Sequence, residues 1–154
     1  MAQPPIDATT EVYHDRAKAD YSQSAELLRS GVQFVFAANG GAAVAILPCL
    51  TAIVTAKDLN ALITVSVILP KFIMAVAIYL TGVLLAAAAL AVFSLSRESW
   101  GHFWEDNALT GDVNFGNTFA VRGSRYSNVG RVLFLLSAIG FICGSGVAVT
   151  AFLP

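Results

Sequence analysis

Charge is what this chain has least of. Of its 154 residues only 12% are Asp, Glu, Lys or Arg, while 56% are hydrophobic, and the mean hydropathy is +0.70. A soluble globular domain carries about a quarter charged residues, so there is too little polar surface here to clothe a water-exposed fold. The nine Lys and Arg and ten Asp and Glu give a net charge of −1, which leaves no basic patch for nucleic acid. The two cysteines, Cys49 and Cys143, both fall in apolar runs. They make neither a disulfide framework nor a Cys/His metal pattern, and are expected to be buried, inert thiols. The N-terminal MAQPPIDATT lacks the basic start and apolar stretch of a cleavable signal peptide, and no lipidation motif is expected at either end.

The missing chemistry is equally informative. His14 and His102, the two histidines, lie outside the apolar runs where a transmembrane haem would need them. Gly111, Gly116 and Gly123 lack the spacing of a phosphate-binding loop, and there is no nucleophile-elbow or zinc-protease motif. Glu98, Glu105 and Asp106 cluster with Arg97, but nothing suggests the shielding that a catalytic carboxylate needs. No ionisable residue falls inside the apolar spans, against a proton-coupled carrier. The expectation is a protein that is not an enzyme and holds no metal or cofactor.

What is present is length of apolar sequence. Charge-free runs occupy 30–56, 59–70, 72–96 and 132–154, and about 20 apolar residues cross ~30 Å of hydrocarbon. The reading is an all-α polytopic membrane protein with three transmembrane helices. Residues 1–30 are expected as a cytoplasmic amphipathic helix, with Tyr13, Ala17, Tyr21, Ser24 and Leu28 on one stripe and Asp7 or Thr10 as its cap. It leads directly into the first span at 31–56, which contains Pro48, an expected kink. After a turn at Lys57 and Asp58, residues 59–70 are too short to cross and read as an interfacial or re-entrant segment. The alternative is the start of a very long second helix. The second span is expected at 72–96, a cytoplasmic loop at 97–131 and the third span at 132–153. Trp100 and Trp104 fall where amphipathic rings prefer the headgroup zone.

Seven of the nine Lys and Arg lie before the first span or in 97–131, leaving Lys57 and Lys71 for the opposite side. The positive-inside rule then sets the N-terminus in the cytoplasm and the C-terminus outside.

Small residues mark the expected helix contacts: Asn39, Gly40 and Gly41 in the first span, Gly82, Ala86 and Ala89 in the second, and Gly140 and Gly144 in the third. Asn39 stands out, because a carboxamide inside a span must find a partner. Around it, FAANGGAAVAIL, preceded by a charged helix and followed by two more spans, resembles small, uncharacterised bacterial inner-membrane proteins with an NGGAA-type first transmembrane helix. The resemblance implies a bacterial plasma-membrane protein and carries no activity with it. The residues themselves suggest a non-catalytic membrane subunit that packs against lipid and against other membrane subunits or copies of itself. The alternative is an oligomeric pore lined by Gln33, Asn39, Thr51 and Thr55.

Overall fold

The computed structural model describes residues 8–55, 59–110 and 117–151. It divides into two units, Met1–Gly31 and Val32–Pro154. Three helices make up the described chain: α1 (Ala8–Thr55), α2 (Leu59–Thr110) and α3 (Thr118–Thr150). There is no strand among the described residues. Each helix contains a stretch long and apolar enough to cross a membrane, at Tyr21–Ala52, Ser66–Trp104 and Thr118–Thr150.

Two expected boundaries are corrected. Residues 59–70 are not a separate segment but the first turns of α2, which runs through Pro70 and on to Thr110, 52 residues in all. Pro70 is exposed, so its ring displaces nothing in the core, and a proline inside a long apolar helix is tolerated where neighbouring groups re-satisfy the backbone. The second correction concerns 97–131. Most of this stretch is helical, α2 continuing to Thr110 and α3 beginning at Thr118, so it is a helical hairpin end, not a loop. The turn at Lys57 and Asp58 and the expected cap Asp7 lie outside the described residues. α1 is a single helix from Ala8 to Thr55, and Pro48 lies within it. Tyr21 and Leu27 are exposed, and only Ala25 and Leu28 are even half-buried between Tyr21 and Ser30. Of the stripe expected over 1–30, Tyr21 and Ser24 are exposed and Leu28 is half-buried, while the side chains of Tyr13 and Ala17 lie outside the described residues.

The second unit is held by a seven-residue repeat. On α2, the a positions Phe72, Tyr79, Ala86, Phe93 and Trp100 alternate with the d positions Ala75, Gly82, Ala89, Ser96 and Phe103; all five d residues are buried. On α3, Gly123, Gly130, Ser137, Gly144 and Ala151 follow the same period, and all are buried. Contacts of Trp100 with Gly123, Phe93 with Gly130 and Tyr79 with Gly144 share a single antiparallel register. Each brings a ring down on a glycine. That same register sets Phe72 level with Ala151, both in one core cluster, and Ala86 level with Ser137. A strict seven-residue period keeps one seam facing a partner along a left-handed coil. Glycines let the rings approach the neighbouring backbone, which matters where lipid gives helices no hydrophobic reason to associate.

α1 joins this pair on the same logic. Among its described residues Val32, Val35, Asn39, Ala43 and Ile46 are buried. Val32 packs with Ala86 and Ala89, and Ala43 and Ile46 pack with Phe72, Ala75 and Tyr79.

Side-chain polarity runs opposite to that of a water-soluble protein. Among the described residues the buried polar ones are Asn39, Ser96 and Ser137, while Phe34, Leu84, Leu135 and Ile142 are among the exposed large apolar ones. Exposed hydroxyls fold back on their own helix: Thr51 Oγ1 donates to Leu47 O at 3.0 Å, Thr81 Oγ1 to Ala77 O at 2.9 Å and Ser94 Oγ to Leu90 O at 3.0 Å. This i−4 bonding removes a polar group from its surroundings without a second helix.

The ends of the hairpin are tied as well. Asn117 caps α3 by accepting from Phe119 N at 3.1 Å and donates from Nδ2 to Asp106 Oδ2 at 2.6 Å, which fastens the start of α3 to the last turns of α2. At the other end Lys71 Nζ donates to Thr150 O at 2.8 Å. A cation from α2 thus satisfies a terminal carbonyl of α3, whose own last turn has no basic residue, and meets the negative end of its dipole.

Candidate functional site

The most polar point in the interior is where the three helices meet. Asn39 of α1 is fully buried. Its Nδ2 donates to Val35 O at 3.0 Å on its own helix, and to Ser137 O and Ser137 Oγ of α3, both at 3.3 Å. Ser137 Oγ in turn donates to Gly82 O of α2 at 2.7 Å. One amide and one hydroxyl therefore link all three helices. The node needs a glycine at 82, since a Cβ there would lie 2.5 Å from Asn39 Oδ1. Asn39 Oδ1 is itself buried without a hydrogen-bond partner. That amide oxygen faces the position a Gly82 side chain would fill, where only a Cα–H can stand, a weaker donor.

A second hydroxyl relay lies one heptad away. Ser145 Oγ donates to Phe141 O at 2.8 Å, and Tyr79 OH lies 3.0 Å from Ser145 Oγ. Since the serine proton is committed to Phe141, the tyrosine is the donor. Tyr79 also packs against Phe141, ring centroids 6.0 Å apart. A third cross-link joins Ser96 Oγ to Gly123 O at 2.8 Å.

Among the residues expected at helix contacts, Asn39, Gly82, Ala86 and Gly144 are all buried at these seams. Gly40 is half-buried, with Val83 Cγ2 3.9 Å from its Cβ position, and the Gly82 Cα lies 3.8 Å from the Cβ position of Gly140. Gly41 is different: a Cβ there meets nothing within 4 Å, so it takes no part in packing within the chain. Trp100 stands edge-on to Phe103 at 5.4 Å, and Trp104 likewise at 5.0 Å. Both cysteines are free and exposed, not buried as expected; each sits on an outer helix face. The four residues of the proposed pore do not converge, because Asn39 is inside while Gln33, Thr51 and Thr55 are outside.

Gly130, Tyr79 and Phe93 carry no expectation from the sequence; Ser137 reads there only as one of the small residues of the third span, and Gly123 only as a glycine without phosphate-loop spacing. The signal that reveals them is the seven-residue spacing of small residues from Gly123 to Ala151, matched by rings from Phe72 to Trp100. Within the described residues no group of three or more His, Cys, Asp or Glu is placed to hold a metal. The chain matches no family model, no curated protein and no solved structure.

Proposed function

We propose that the chain is a non-catalytic integral-membrane subunit that works by helix packing, as an accessory or scaffold component of a larger membrane complex or a homo-oligomer. It resides in a bacterial plasma membrane, with the N-terminus and the Thr110/Thr118 end of the hairpin in the cytoplasm and the C-terminus outside. The observation that carries this reading is the use made of the buried polar side chains. Asn39, Ser96 and Ser137 each direct hydrogen bonds across a helix seam, so the interior is built for holding helices together.

Outward-facing small residues on α1 supply the contact for a neighbour: Ala37, Gly41 and Ala45 are exposed at successive turns of one face. Close backbone approach through such a face is how membrane helices associate. The test is purification from native membranes in mild detergent, comparing the wild type with Gly41→Leu. A discrete complex or oligomer that Gly41→Leu disperses, with the chain still folded, supports the reading. A monomer in both cases overturns it. A pore is disfavoured, because Asn39 is engaged with Ser137 and the Thr51 and Thr55 hydroxyls bond within α1.

A further inference from the structure

On the flank of the α2–α3 seam away from α1 lies an open groove of about 390 Å³. Met74, Ile78 and Gly82 of α2 and Leu136, Ile139 and Gly140 of α3 line it. Its floor is backbone, since the Gly82 Cα lies 3.8 Å from the Gly140 Cβ position. The lining is apolar but for Thr81, which donates its hydroxyl to Ala77 O, so no lining hydroxyl proton is left to donate to a polar ligand.

The repeat on α3 carries this flank toward the other end of the helix. Arg122, Val129 and Leu136 occupy one heptad position, and Arg125, Val132 and Ile139 another; all six are exposed. Two guanidiniums thus head an apolar track that ends in the groove. From Arg122 to Leu136, or Arg125 to Ile139, is two heptads, about 21 Å at 1.5 Å per residue. Half of a bilayer that measures ~40–45 Å with its headgroups is the same distance. Arginines at the phosphate level therefore set the groove at the bilayer midplane, where an acyl chain ends. α3 contains no Asp or Glu. Glu98 of α2, level with Arg125 in the register, makes no ion pair with it, and among the described residues neither arginine has an ion-pair partner.

We propose that this flank binds one anionic phospholipid, its phosphate on Arg122 and Arg125 and one acyl chain along Val129 and Val132 into the Gly82–Gly140 groove. The inference rests on the membrane-embedded reading above. Charge complementarity supplies the headgroup end, and the apolar groove at matching depth supplies the chain end.

The experiment titrates dioleoyl phosphatidylglycerol into the delipidated full-length protein in detergent and counts bound lipid by native mass spectrometry. The wild type is expected to bind one lipid more tightly than it binds phosphatidylcholine. Arg122→Gln with Arg125→Gln should weaken binding about thirty-fold, the effect of two cations at an anionic surface. Arg97→Gln with Arg131→Gln is the positional control. Arg97 lies two heptads from Val83, which faces Gly40 of α1, and Arg131 one heptad from Ala138, on the same side of the α2–α3 seam; their loss should leave binding unchanged. Gly140→Leu should weaken both lipids by filling the groove, whereas Gly140→Ala, whose Cβ makes only ordinary contacts, reports on folding.

Equal loss from both arginine pairs would mean unspecific charge attraction and would overturn the proposal. Unchanged binding in Gly140→Leu would overturn it too, as would a groove occupied by a second chain, seen as a dimer that Gly140→Leu dissociates without lipid loss. Carbonate extraction of each variant is scored separately. A chain released by carbonate sinks the membrane reading, while a membrane-retained chain without lipid preference sinks only the lipid site.

Discussion

Gly82→Ala is the sharpest probe of the three-helix node. The new methyl would lie 2.5 Å from Asn39 Oδ1, 2.7 Å from Cγ and 2.9 Å from Nδ2. To restore an ordinary contact the carboxamide must retreat by about 1 Å. Its bonds to Ser137 are already 3.3 Å long, so that retreat takes them beyond hydrogen-bonding range. Interhelical bonds in membranes average about 0.6 kcal/mol and reach about 1.7 kcal/mol. Overpacking adds roughly 1–3 kcal/mol, offset by about 1 kcal/mol from the better helix propensity of alanine. The expected net cost is about 1–3 kcal/mol. In an Asn39→Ala background the obstructing side chain is gone, and Gly82→Ala should be neutral or stabilising by up to about 1 kcal/mol. The double-mutant cycle, read by reversible unfolding in mixed micelles, should give a coupling of about 1–4 kcal/mol. Additivity within about 0.5 kcal/mol would refute the reasoning, because it would mean that Asn39 and Gly82 do not compete for one space.

Other perturbations follow from the same geometry. Gly144→Ala, whose Cβ would meet Tyr79 Cε1 at 2.8 Å, should cost about 1–3 kcal/mol; Gly146→Ala, with nothing within 4 Å, should cost nothing measurable in the same unfolding assay. Ser137→Ala removes one of the three acceptors of Asn39 Nδ2 and the donor to Gly82 O, and should lower stability by about 1–2 kcal/mol without changing helix content by circular dichroism. Lys71→Met should free the α3 terminus, seen as faster amide hydrogen exchange over the last turn of α3 and a loss of about 0.5–1 kcal/mol. Cys49 and Cys143, both exposed, should react in membranes with a lipid-soluble maleimide and resist a membrane-impermeant one; the reverse selectivity would place those faces in water.

The number and type of helices were legible because length and apolarity alone select them. The contents of 97–131 were not, and the reason is specific. Gly123 and Gly130, amid Asn, Ser and Arg, look like turn residues, yet each is a glycine because a ring of α2 rests on it. Helix glycines that receive a ring and loop glycines that bend a chain are indistinguishable without the partner strand of the pattern on α2. Proline misled in the same way at Pro70, which interrupts the apolar run without ending the helix. Asn39 was legible as a buried amide in need of a partner. That the partner would be Ser137, and that Gly82 would be the clearance rather than simply another packing glycine, depended on the register between helices far apart in sequence.

The break in the aromatic ladder at Ala86, opposite Ser137, has a consequence for how the hairpin finds its alignment. Two ladders of equal period can slide past one another by a whole step and still mesh at most rungs, as the teeth of a vernier do. Moved by one step, the hydroxyl of Ser137 would lie beneath the Tyr79 ring, or beneath that of Phe93 in the other direction, and Gly130 or Gly144 would face Ala86 across a void. The odd rung therefore acts as an index mark, and the amide of Asn39 is what reads it.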